Sequence, residues 1–283
     1  MEKKPIQPEF IDVAKVIERK SPTLRKRLPG FVIRYLRRIV HEDELNEFLK
    51  LYGHLDGIPF IEGALSFMNT TVNVRGLENI PLRGKVIVAS NHPLGGLDGL
   101  ALMMTVAKRR EELVFPVNDI LMNVKNLEPL FIPINKHGSN AENIQIINDT
   151  FASDKVICYF PAGLVSRKRG GVIKDLEWHP TFITKAKRFH RDIIPTHISG
   201  RNSNFFYNLA NLRKLLHIKT NIEMLYLVDE FHKQKNRSIT ITFGKPVDYR
   251  VFDSRFTRQE WASKMRDFIY QLKENPDAAF QPV

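Results

Sequence analysis

The stretch Val86-Ile87-Val88-Ala89-Ser90-Asn91-His92-Pro93-Leu94-Gly95-Gly96-Leu97-Asp98-Gly99 decides how the chain is read. Four apolar residues run into Ser-Asn-His, and a Pro/Gly turn then opens a helix with Asp98 in its first turn. A short continuous apolar run bounded by turn residues fits a strand buried on both faces. In an open α/β sheet the loop at the carboxyl end of a strand borders the ligand crevice. His92 therefore stands where substrates sit, and the helix N-terminus beside it offers unpaired N–H groups to an anion. Gly95 and Gly96 let the chain fold back so that Asp98 can reach the imidazole. A carboxylate on one ring nitrogen fixes the tautomer and raises the basicity of the other. His92 could then take a proton from an attacking hydroxyl, a role worth ~10²–10⁴-fold in rate. Backbone N–H groups near Gly95 and Gly96 would stabilise the oxyanion. The plainer reading makes Asp98 a helix cap and His92 a loop residue satisfied by backbone, and spacing alone does not separate the two.

Working outward, the region before residue 70 reads as helices. Phe31, Val32, Tyr35, Leu36 and Ile39 share one face of a helix over 30–40, with Arg34, Arg37 and Arg38 on the remainder. A second helix starts at Glu42-Asp43-Glu44 and stops at Gly53, and a third apolar segment covers 58–68. From residue 71 the texture alternates. Strands are expected at 71–74, 86–89, 114–117, 131–134, 156–160, 193–198, 224–228 and 238–243. Helical patterns lie at 97–107, 141–151, 181–188 and 205–216, with a closing amphipathic helix at 258–272. This rhythm predicts an α/β fold: a mostly parallel or mixed sheet of seven to eight strands flanked by helices, with an N-terminal helical segment. A soft boundary separates residues 1–70, a helical segment suited to membrane contact, from an α/β domain over 71–283.

Three further strand ends fall in line with the first. Tyr159-Phe160-Pro161-Ala162-Gly163-Leu164-Val165-Ser166-Arg167-Lys168-Arg169-Gly170-Gly171 couples a Pro/Gly turn to a serine and three cations, the makings of an anion cradle. For any one of those cations a solvated basic loop is the better reading. Leu130-Phe131-Ile132-Pro133-Ile134-Asn135-Lys136 delivers Lys136 to the same edge, and Ile193-Ile194-Pro195-Thr196-His197-Ile198-Ser199-Gly200 follows as a fourth.

Four strand ends in this order resemble the four sequence blocks of the glycerolipid acyltransferase superfamily, which includes lysophosphatidate and glycerol-phosphate acyltransferases. The resemblance covers residues 71 to 200. It implies that His92 is the general base and Asp98 its orienting carboxylate. It further implies that Asn91, Gly95, Gly96, Lys136, Pro161, Gly163, Ser166 and Arg167 bind substrate. Five residues separate His92 from Asp98 where the commonest family pattern has four, and Ala162 stands where Glu is usual. Asn-His-Pro-Leu-Gly-Gly-Leu-Asp-Gly with Phe-Pro-Ala-Gly is similar to a bacterial hemolysin-like side branch, which resembles O-acyltransferases that finish ornithine or glycine lipids. The implied reaction moves a fatty acyl group from a thioester of acyl carrier protein or coenzyme A to a lysolipid hydroxyl, of lysophosphatidate type or amino-acid-headed. It needs no cofactor and no acyl-enzyme.

Composition is compatible with that partner set. The 283 residues are 43% hydrophobic and 26% charged, with a formal charge of +12. Such a surface suits an acidic carrier protein and an anionic membrane. The lone Cys158 excludes a disulfide framework, and within an apolar strand a thiol is usually inert packing. His92 and Asp98 lack a convincing third metal ligand, since His179, His190 and His197 are scattered, so no metal is expected. No Gly-x-Ser-x-Gly, P-loop or His-Glu-x-x-His motif occurs. With no apolar run long enough to span a bilayer, the expected place is cytoplasmic, peripheral on the inner face of the membrane. A non-catalytic basic protein binding nucleic acid or membrane is the competing class, although no nucleic-acid signature appears and none is expected as partner. A membrane scaffold with a decayed site, suggested by Ala162, is a third.

Overall fold

The structure, a computed structural model, describes residues 10–118, 121–133 and 140–282, with backbone alone for 140–143. The N-terminal segment forms α1 (Val13–Lys20), α2 (Pro22–Arg27), α3 (Gly30–Val40), α4 (Glu42–Tyr52) and α5 (Gly57–Phe67). Asp12 caps α1 by accepting from the Lys15 N–H, and Ser21 closes α1 while capping α2. His41, left-handed at φ 51°, turns α3 into α4. Gly53 ends α4 as the sequence predicts, but in the right-handed region at φ −66°. The apolar face expected over 30–40 is divided: Ile39 packs inward while Phe31 and Tyr35 stay exposed, and Ile33, outside that face, is buried instead.

The body contains β1 (Thr71–Arg75), β2 (Val86–Ser90), α6 (Leu97–Ala107), β3 (Leu113–Val117), β4 (Phe131–Pro133), α7 (Asn140–Ala152) and β5 (Val156–Tyr159). It continues with the hairpin β6 (Arg167–Arg169) and β7 (Val172–Lys174), then α8 (Thr181–Phe189), β8 (Asp192–Ile198), α9 (Asn204–Leu215), α10 (Leu227–His232), β9 (Ser238–Phe243) and α11 (Arg258–Gln271). Seven strands make one sheet in the order β1-β9-β8-β2-β5-β3-β4. Five run parallel; β9 lies antiparallel to β8 and carries β1 parallel to itself. Every residue of the central β2 is buried, as a strand covered on both faces requires.

The pleat divides the core. Val86 and Val88 face a cluster with Phe60, Leu65 and Leu102, so α5 and α6 cover that side. Ile87 and Ala89 face Trp178, Phe182, Trp261 and Ile269, which brings α8 and α11 onto the other. Arg191, fully buried, closes the bottom edge by donating to the carbonyls of Phe151, Val86, Lys155 and Thr150. Its burial lowers its pKa to about 10.

Two expectations change. Residues 224–228 are not a strand but the end of a 3-10 turn (Ile222–Tyr226) leading into α10. Glu223 is drawn inward there by Arg167 and Arg213, and Leu227 and Phe231 pack at helical spacing beneath the glycine turn. The β6–β7 hairpin was concealed by its run of cations. Gly170 and Gly171, at φ 54° and 82°, supply the two positive angles of a tight two-residue turn.

Candidate active site

The turn after β2 is built by carboxamide and carboxylate groups that replace backbone ladder bonds. Asn91 accepts from the Ile198 N–H at 2.7 Å and donates to the Ile198 carbonyl at 2.9 Å, which continues the β2–β8 pairing by one side chain. The His92 N–H points at both oxygens of Asp175, each 3.2 Å away, and its carbonyl accepts from the Ser166 N–H at 2.8 Å. Gly95 then adopts φ 91°, a conformation that strains any side chain. A Cβ there would lie 3.0 Å from Leu227, and one on Gly96 would lie 3.3 Å from Phe231.

This path returns Asp98 to His92. The imidazole Nδ1 is 2.9 Å from Asp98 Oδ2. The same oxygen accepts from the Leu94 N–H at 2.8 Å and the Gly95 N–H at 3.3 Å, while Oδ1 accepts from the Gly99 N–H at 2.9 Å. A carboxylate so supplied with donors accepts one more hydrogen bond, from Nδ1–H, which leaves the Nε2 lone pair for the cavity that the ring lines. Asp98 is fully buried and the His92 side chain 14% exposed. The imidazole lies against Phe160, with ring centroids 4.1 Å apart and planes 20° apart, and Phe160 is braced edge-on by Phe115. Burial works against the imidazolium, but the charge and hydrogen bond of Asp98, aided by Asp175, hold the His92 pKa above its ordinary value. Burial raises the Asp175 carboxyl pKa, against the hydrogen bonds donated by Ser166 and Trp178.

A cavity of about 490 Å³ opens beside this pair. Its walls are almost wholly apolar, with Phe48, Phe60, Met103, Phe115, Leu127 and Phe160 among them. The volume lies within the range of ~300–1,000 Å³ usual for small-molecule sites. Polar groups reach it at His92 and at His41, Glu44 and His232.

Of the residues singled out in the sequence, His92, Gly95 and Gly96 line this cavity, with Asp98 directly behind the imidazole. The rest have other surroundings. Asn91 is committed to β8, and the Gly95 N–H turns to Asp98 instead of offering itself as an oxyanion donor. Ser166 donates to Asp175. Arg167 is buried, with Nη2 3.0 Å from Glu223 and its guanidinium over the Phe206 ring. Arg213 pairs with the other Glu223 oxygen at 2.9 Å. Pro161 is buried and accepts from the His179 N–H, Gly163 is an exposed turn residue, and Ala162 packs into the core beneath α8. Lys136 lies outside the described residues.

Sequence reasoning missed Asp175, which receives hydrogen bonds from Ser166, Trp178 and Tyr270 besides the His92 amide. It also passed over Phe160 as a partner of the imidazole. An aromatic closing the strand before a Pro/Gly turn was the available signal.

The sequence matches the family described as "Acyltransferase" over residues 15–279. A lyso-glycine lipid O-acyltransferase of Phocaeicola vulgatus is 48% identical over 265 residues, covering 93% of this chain and 95% of that one. A protein of the same description from Bacteroides thetaiotaomicron is 46% identical, covering 93% of this chain and 97% of its own. Among solved structures, that of the 1-acyl-sn-glycerophosphate acyltransferase PlsC from Thermotoga maritima aligns over 95% of each chain, at 17% identity and a TM-score of 0.49.

Proposed function

The chain belongs to the acyltransferase family, and from that premise we propose that it esterifies the hydroxyl of a lyso-glycine lipid with a fatty acyl group from a thioester. The relatives that share almost half of its residues across nearly their whole length carry that acceptor in their names. The observation that carries the mechanism is His92 Nδ1 held 2.9 Å from buried Asp98 at the edge of an apolar cavity.

In this reading the acyl chain occupies the cavity and presents its thioester to His92. Nε2 takes the acceptor hydroxyl proton as the oxygen attacks the thioester carbonyl. The tetrahedral intermediate collapses, the carbon–sulfur bond breaks, and the imidazolium returns the proton to the departing thiolate. Cys158 takes no part: it is fully buried, and burial pushes its thiol pKa far above the usual range. Family membership sets aside the non-catalytic nucleic-acid reading.

The protein works on a membrane surface in this proposal, with residues 10–70 supplying both a cavity wall and part of the contact face. No helix among the described residues is long and apolar enough to cross a bilayer. Phe31 and Tyr35 of α3, Phe205, Leu212 and Leu215 of α9, and Leu225 all keep exposed side chains. Tyr35 and Tyr226 share a hydroxyl hydrogen bond of 2.7 Å, and Phe205 packs edge-on to Tyr226, which joins these elements into one patch. With a net charge of +12, such a patch favours an anionic leaflet, the inner face of the cytoplasmic membrane. The donor, acyl carrier protein or acyl-coenzyme A, would approach the same positive surface.

The test is to supply purified protein with lyso-glycine lipid or lysophosphatidate, each with either thioester, and to identify products by mass spectrometry. Diacylated glycine lipid is the expected product. Acylation of lysophosphatidate alone would overturn the acceptor assignment.

A further inference from the structure

We propose that His41, Glu44 and His232 form a binding site for a divalent cation of the zinc class on the wall of the acyl cavity. Glu44 follows His41 within the first turn of α4, and His232 is the last residue of α10. Nδ1 of His41 lies 3.0 Å, and Nδ1 of His232 2.9 Å, from one oxygen of Glu44, Oε2. The three donor atoms all fall within 4.8 Å of one another. The two imidazoles stack, centroids 3.9 Å and planes 20° apart, which aims both Nδ1 atoms at the same point.

The surroundings supply what a metal-bound histidine needs. Nε2 of His41 is 3.0 Å from Asp229 Oδ1, and Asp229 is anchored by Lys233 at 2.6 Å. A carboxylate on the far nitrogen fixes the tautomer and leaves the near nitrogen's lone pair for a cation. His232 turns its Nδ1 to the same Glu44 oxygen as His41 does. One cation between the three donor atoms would satisfy both imidazole nitrogens and the carboxylate together.

Two imidazoles and one carboxylate suit zinc and its neighbours better than calcium or magnesium, which want several oxygens. Tetrahedral zinc with ligands at ~2.1 Å spaces them about 3.4 Å apart, so a slight opening of the present 2.9–3.0 Å contacts admits the ion. Three protein ligands leave a fourth position, and all three residues line the cavity. The ion would also fasten the α3–α4 turn to α10, whose Leu227 and Phe231 abut the turn that carries His92.

The test uses the full chain stripped with chelator, then titrated with Zn²⁺ by calorimetry and with Co²⁺ by visible absorption. One ion per chain, tetrahedral Co²⁺ bands and a raised melting temperature are expected. His41→Asn and His232→Gln, which retain hydrogen-bonding capacity, should each weaken Zn²⁺ binding by at least about 100-fold, whereas the exposed His54→Ala should not change it. Absence of the bands in the unmodified protein, or affinity unaltered in both variants, overturns the site. Neither readout depends on acyl transfer, so the site can fail while the catalytic reading stands.

Discussion

Asp175 grips the backbone amide of His92 with both of its carboxylate oxygens, each 3.2 Å away, while standing 83 residues further along the chain. The imidazole is thus fixed twice, at its ring by Asp98 and at its main chain by Asp175. Both carboxylates also favour its protonated form. The positioning and the titration of this imidazole are therefore coupled.

The pH profile should display that coupling. In the proposed general-base role the neutral imidazole is the working form, so with the His92 pKa raised above 6.5, kcat/KM should climb with pH through that raised value. Asp98→Asn removes the first of the two raising influences and leaves burial to prevail. Its acidic limb should move to lower pH while its plateau rate falls by ~10²–10⁴-fold. His92→Ala should abolish turnover. A His92→Ala protein with ordinary turnover would end the general-base assignment.

For Asp175→Asn the expected change is smaller and mixed. Loss of its charge lowers the acidic limb slightly, and a loosened amide should reduce kcat by about 10- to 100-fold with KM little altered, because small misplacements of a reacting group cost that much. Circular dichroism and thermal melting check the fold. A lower melting temperature with an unmoved pH profile would make Asp175 a purely structural residue.

The proposed membrane attachment can be tested with vesicles. Leu212→Ser combined with Leu215→Ser removes two exposed apolar side chains from α9. Partition onto anionic vesicles should drop by about 10- to 100-fold, the scale set by ~1.5–3 kcal/mol for a fully buried leucine and less for a partly inserted one. Added salt should weaken binding of the unaltered protein. Equal binding to neutral and anionic vesicles would refute the electrostatic part.

How much was legible in advance follows from where each signal resides. The β2 turn could be read because its apolar run, Pro/Gly break and acidic helix start are contiguous. Seven of the eight expected strands exist for the same reason. The run Met224-Leu225-Tyr226-Leu227-Val228 was too short for periodicity to decide, and tertiary pull on Glu223 decided it instead. Arg167 looked like a free cation because Glu223, 56 residues away, is invisible to local reading. Asp175 and the His41–His232 stack were hidden likewise, since each draws its meaning from a distant stretch brought alongside by the fold.

Leu227 and Phe231 fill the space that side chains on Gly95 and Gly96 would need. Evolution is thereby offered a division of labour: the turn bearing His92 is frozen in composition, whereas bulk on the facing helix can be resized. With the acyl chain in that cavity, as proposed, length preference among descendants of this enzyme should drift through positions 227 and 231, and scarcely at all through 95.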